Sequence, residues 1–141
     1  MGNSQSIQKI NFEDVQKVVK NHDSYLLINT LPENEQYCLI LNSVNAQQEE
    51  NIINQHLQRG SKSLNIIIYG RNANDETIYT KYYQLLKLGF RDIYLYPGGL
   101  FEWLLLQDIY GTDEFMTTSK HLDILKYKPR QLLNVALLTQ F

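Results

Sequence analysis

Residues 70–76, GRNANDE, place two carboxylates (Asp75, Glu76) and one guanidinium (Arg71) among Asn72, Ala73 and Asn74. They directly follow the apolar run Ile66–Tyr69. A polar loop after a buried strand and before a helix is where α/β folds hold a nucleophile or cradle an anion on backbone N–H groups. The first loop residue, however, is Gly70, which has no reacting atom. A cup of N–H groups attracts anions through its partial positive charge, and two carboxylates on its rim oppose them. At close range that repulsion costs about 1 kcal/mol in water and more where water is excluded. Arg71 reads either as a residual anion clamp or as a solvated loop charge paired with Asp75 or Glu76.

Other chemistry is sparse. Cys38 is the single cysteine, so it forms no internal disulfide and suits a reducing compartment. It precedes a different strand and reads as a small apolar filler rather than a nucleophile. His22, His56 and His121 are scattered, without metal-ligand spacing. The Pro97-Gly98-Gly99-Leu100 turn lacks the Lys and Ser/Thr of a phosphate-binding loop, and its glycines read as the makers of a tight strand-to-helix turn. No cofactor and no metal are expected.

The elements that must position this loop follow from periodicity. Asn11 is placed to cap a helix whose inner face is Phe12, Val15, Val18 and Val19. Residues 25–30 read as a short buried strand, and another is expected near Leu39–Leu41. Asn45 caps a helix with Ile52, Ile53 and Leu57 inward, ended by Gly60. Residues 64–70 form a β-branched run suited to a central parallel strand covered on both faces. A helix follows with Ile78, Tyr82, Leu85 and Leu86 inward and Gly89 as its terminator. Then come a strand over 92–96 and a last helix, packed through Trp103 and closed by Gly111. This alternation predicts an α/β domain with a parallel sheet. Residues 1–9 read as a flexible arm, 10–111 as the domain, and 112–141 as a C-terminal extension serving as a docking arm. Within the extension, Thr118 is expected to cap a short helix through Leu122 and Leu125, stopped by Pro129.

Five stretches resemble the rhodanese-like domain family in order and spacing: "LINTLPENEQY", "CLILNSVNA", "IIIYGRNANDET", "LLKLGFRDIYLYPGG" and "GGLFEW". The resemblance implies a central parallel sheet of about five strands with helices on both faces. It also implies an active loop in which, in active members, a cysteine thiolate accepts sulfur as a persulfide. This chain departs from that pattern. Gly70 stands at the nucleophile position. Asn29 and Leu31 replace the Asp and Arg of the family's Ile-Asp-Val-Arg strand, and Cys38–Asn42 replace its Gly-His-Ile-Pro-Gly segment. The loop is longer, with Asp75 and Glu76 where active loops carry a basic residue.

Composition bounds the rest. The chain has 141 residues, 43% hydrophobic and 20% charged, with a net charge of -2, which suits a globular domain and disfavours nucleic acid. No apolar run approaches the roughly 20 residues of a membrane span. Met1–Ser6 fits the acylation pattern M-G-x-x-x-[ST], with Gly2 as acceptor; a lone myristoyl chain binds membranes only marginally. Tyr79 and Tyr83 could form an aromatic interaction patch. The apolar tail, with Leu132, Leu133, Leu137, Leu138 and Phe141, either folds back on the sheet domain or docks on another protein. The leading expectation is a catalytically silent rhodanese-like domain that binds protein partners in the cytoplasm, within a large assembly such as a cytoskeletal or ciliary structure. The alternatives are a sulfurtransferase-like or phosphatase-like enzyme or anion-binding domain with a remodelled loop, or an N-myristoylated peripheral adaptor.

Overall fold

The computed structural model describes residues 6–60 and 63–133; Gly2, Leu137, Leu138 and Phe141 lie outside the described residues. Five parallel strands form one sheet in the order β1-β5-β4-β2-β3. They are β1 Gln8–Lys9, β2 Tyr25–Asn29, β3 Ser43–Val44, β4 Asn65–Tyr69 and β5 Ile93–Tyr96. The β-branched run of β4 is central, paired with β2 on one side and β5 on the other. Its side chains alternate between faces, as a doubly covered strand requires. Ile67 and Tyr69 join the layer of α1 (Phe12–Lys20) and α4 (Gly99–Tyr110). Ile66 and Ile68 join the layer of α2 (Ala46–Gln58) and α3 (Thr77–Lys87).

Local signals act as their chemistry directs. Asn11 closes a reciprocal capping box with Asp14 at the start of α1. Asn45 accepts from the Gln47 N–H at the start of α2. Val15, Val18 and Val19 are buried, as are Ile53, Ile78, Tyr82 and Leu85.

Three segments differ from expectation. Gln8–Lys9, read as part of a flexible arm, form an edge strand on β5. Extended backbone beside an unpaired edge needs no hydrophobic pattern to pair, so periodicity does not reveal it. Leu39–Leu41 is not a strand of the sheet; that strand is Ser43–Val44, beyond Asn42 in the left-handed region at φ 69°. Leu39–Leu41 instead engages the C-terminal extension. Ile40 bridges Thr117 antiparallel, Leu41 N–H donates to the Met116 carbonyl, and Thr118 N–H donates to the Leu39 carbonyl. Thr118 therefore caps no helix: its hydroxyl accepts from Leu39 N–H. The short helix is a 3-10 turn over Ile124–Tyr127, and Leu122 and Leu125 are exposed.

The first part of the extension thus belongs to the fold. Phe115 and Tyr127 are buried in the core. The Trp103 ring meets Phe115 edge-on at 5.0 Å, and its indole N–H donates to the Met116 carbonyl. Gln107 donates to the Phe115 carbonyl. At the centre of this layer the buried Tyr69 hydroxyl accepts from Ile40 N–H at 3.1 Å and shares a 2.6 Å hydrogen bond with Ser43 Oγ.

Burial also sets the response to alkali. Desolvation raises the Cys38 thiol above its ordinary 9.0 and pushes Tyr127 up to about 12. Tyr69 and Tyr96 are raised by burial as well. Above these ordinary values the unfolded chain loses protons that the folded chain keeps, so folding stability falls as pH rises. The urea midpoint is expected to decline steadily as pH rises above 9.0, with a shallower initial decline in Cys38→Ala. A midpoint unchanged through that range would contradict the buried assignments.

Candidate functional site: a self-occupied loop

The loop 70–76 lies between the end of β4 and the start of α3, and α4 supports it from below. Gly99 makes that support possible. Its φ is +69°, and a Cβ there would stand 2.8 Å from the Gly70 carbonyl oxygen and 2.9 Å from the Asn72 nitrogen. With that contact open, Leu100 N–H donates to the Gly70 carbonyl and Phe101 N–H to the Arg71 carbonyl, both at 2.9 Å. The first N–H groups of α4, the usual anion-binding end of a helix, therefore hold loop backbone. The loop's crest is fixed by the buried Asn72. Its Oδ1 accepts from Asn74 N–H and its Nδ2 donates to the Tyr127 carbonyl, at 2.9 Å each.

Asp75 folds back into the loop. Its Oδ2 accepts from Arg71 N–H at 2.8 Å, and its Oδ1 accepts from Thr77 N–H at 3.0 Å and the Thr77 hydroxyl at 2.5 Å. One carboxylate thus joins the first turn of the loop to the start of α3, where the helix dipole favours negative charge. The Thr77 hydroxyl also lies 2.7 Å from Thr30 Oγ1. A Cβ at Gly70 would stand 2.5 Å from Asp75 Oδ2 and 2.9 Å from Thr30 Oγ1. Gly70 does not lie in the left-handed region, so a side chain here is opposed by the Asp75 and Thr30 side chains, which would have to shift, and not by backbone conformation. Glu76 is exposed and takes no part in this arrangement.

Arg71 pairs with neither loop acid. Its Nη1 meets Glu35 Oε1 at 2.5 Å, its Nη2 donates to the Lys126 carbonyl, and its guanidinium lies 5.1 Å above the Tyr127 ring. The expected pairing with Asp75 or Glu76 fails because Asp75 points into the loop while Glu35 and Tyr127 approach from outside. Behind Glu35, Asn29 and Gln36 bond amide to amide in both directions, and Asn29 Oδ1 accepts from Leu31 N–H.

The rhodanese-like domain model matches residues 12–106. The chain belongs to the rhodanese-like domain family. No curated protein matches it. Among solved structures it is similar to the Alr3790 protein of Anabaena, with a TM-score of 0.57 and 18% identity over 83% of this chain and 97% of that one. The Rhodanese_3-like domain of the same protein aligns with a TM-score of 0.50 and 21% identity, over 70% of this chain and 95% of that one. Ygr203w, a yeast protein tyrosine phosphatase of the Rhodanese family, aligns with a TM-score of 0.58 and 13% identity, over 82% and 94% respectively. At these identities the likeness concerns the fold.

Within this rhodanese-like domain the remaining candidates are dispersed. Cys38 is fully buried, its thiol donating to the Ser119 carbonyl at 3.4 Å, and burial keeps it protonated. Tyr83 is 56% exposed and packs edge-on against the buried Tyr82; Tyr79 is half-buried. Leu132 and Leu133 are exposed. Among the described residues no cluster of His, Cys, Asp or Glu could hold a metal, and no helix is long and apolar enough to cross a membrane. Sequence reasoning missed Thr30, Thr77, Glu35 and Tyr127. Only Thr77, adjoining the loop, carried a local signal.

Gly70→Ala is expected to destabilise the wild-type chain by about 1–3 kcal/mol, because the methyl group meets the Asp75 carboxylate. In an Asp75→Ala background the penalty should shrink, a coupling of about 1 kcal/mol or more in a double-mutant cycle by urea denaturation. Additive effects would mean that the carboxylate does not occupy this space.

Proposed function

We propose that this chain is a non-catalytic rhodanese-like domain that acts as a protein-interaction module. The observation that carries the reading is the Asp75 carboxylate, hydrogen-bonded to Arg71 N–H in the space a side chain at position 70 would need. Sulfur transfer requires a thiolate nucleophile. Gly70 supplies none, and a thiolate installed there would face a carboxylate at contact distance. Cys38 sits in the core, without solvent contact, and ionises less readily than an ordinary thiol. A phosphatase-like or anion-binding role would need the loop N–H groups free for an oxyanion, and Arg71 N–H and Thr77 N–H already bond a carboxylate of the chain itself.

An interaction role fits the other half of the observations. The loop face is kept rigid by α4 and the C-terminal segment, although it has no nucleophile to position. A cytoplasmic setting in a large assembly, cytoskeletal or ciliary, belongs to the same proposal and is tested by imaging the tagged chain. Acylation of Gly2 is tested by mass spectrometry of the native N-terminus.

With thiosulfate and cyanide, the wild-type chain and Gly70→Cys should both stay at the buffer rate. Wild-type turnover above that rate, abolished by Cys38→Ala, would refute the proposal.

A further inference from the structure

We propose that the trough over the carboxyl ends of β2 and β4 docks an extended acidic peptide segment of another protein. This rests on the reading of the chain as an interaction module and names its site and the chemistry of its partner. Two cavities of about 430 Å³ each open on this face. Both are lined by Thr30, Leu31 and Thr77, so they form one elongated trough. Its shape suits a chain laid along it, whereas a membrane surface would need a flat or convex contact.

The charges along the trough divide into engaged and unengaged groups. Arg71 is held by Glu35, and Lys81 by Glu49 at 2.5 Å. Asp75 is turned onto neutral loop N–H groups, so its negative charge stays on the trough floor, against the two cations at that end. What remains at the loop end is Lys128 and Arg130, both exposed, and at the opposite end Glu50. Among the described residues none of these three makes an ion pair. A ligand that ends beside Lys128 and Arg130 gains by carrying negative charge there. A small oxyanion meets the Asp75 carboxylate, which already bonds the Arg71 and Thr77 N–H groups. The acidic end of a chain can instead lie beside Lys128 and Arg130, clear of Asp75, with Leu31, Pro32 and Ala46 as apolar contacts and the Thr80 hydroxyl available to its backbone. Peptides that bind in extended form use this combination of main-chain hydrogen bonds and side-chain complementarity.

The test is panning of phage-displayed random peptides on the full chain at low salt. Enriched sequences should carry clustered Asp and Glu, and synthetic copies should shift the amide resonances of Thr30, Thr77 and Arg130. Binding should weaken with added salt. In the double variant Lys128→Glu, Arg130→Glu it should fall about tenfold or more. The same peptides with their acids changed to lysine should bind that variant. Both substituted side chains are exposed and outside the hydrogen-bonded framework, so an unchanged circular dichroism spectrum separates lost binding from lost fold. The trough is ruled out if no acidic sequences are enriched, or if selected peptides bind the charge-reversed variant equally well. It is also ruled out if the peptides shift other resonances, or if phosphatidylserine vesicles bind and the peptides do not. Selected peptides that bind elsewhere would end this site while leaving the interaction-module reading intact. Thiosulfate turnover would end that reading.

Discussion

One carboxylate governs the loop on which the fold's chemistry would be carried. Asp75 connects Arg71 N–H to the Thr77 N–H and hydroxyl, and in doing so it occupies the space above Gly70. A charge-assisted hydrogen bond is stronger than a neutral one, so two from backbone N–H groups and one from a hydroxyl hold the loop closed on itself. The exchange is chemically coherent. A fixed carboxylate receives the Arg71 and Thr77 donors, and the residue beneath it has no side chain to offer.

The surroundings make that arrangement one-sided. The N–H groups of Leu100 and Phe101 at the start of α4 bind loop carbonyls. The C-terminal segment closes from the other direction, with the Tyr127 ring under Arg71 and the Tyr127 carbonyl on Asn72. The same segment supplies Phe115 to the core and pairs with residues 39–41. Residues 115–127, which bury Phe115 and Tyr127, are therefore part of the domain's packing. The segment's charged exit, Lys128 and Arg130, is left on the rim of the trough.

The sheet and its helices were readable because their causes are local. The run Ile66–Tyr69 is apolar at every position and is buried on both faces; the α1, α2 and α3 stripes recur at helical spacing, and Asn11 and Asn45 cap where their side chains can reach N–H groups. The unread parts depend on contacts distant in sequence. Leu39–Leu41 has a strand-like pattern, yet its partner is Thr117, 77 residues on from Ile40. Gln8–Lys9 pairs with β5 through backbone alone, which leaves no mark on side-chain pattern. At the site, the sequence shows directly that position 70 carries no side chain. Whether Asp75 would face outward as a rim charge or inward as an acceptor depended on the position of the Arg71 N–H and on Glu35 taking the Arg71 guanidinium, 36 residues away.

The most direct test is a high-resolution crystal structure of the wild-type chain grown in thiosulfate. The account predicts the Asp75 carboxylate within hydrogen-bond distance of the Arg71 and Thr77 N–H groups, with no sulfur anion in the loop. Asp75 turned out to solvent, with thiosulfate seated on those same N–H groups, would contradict it.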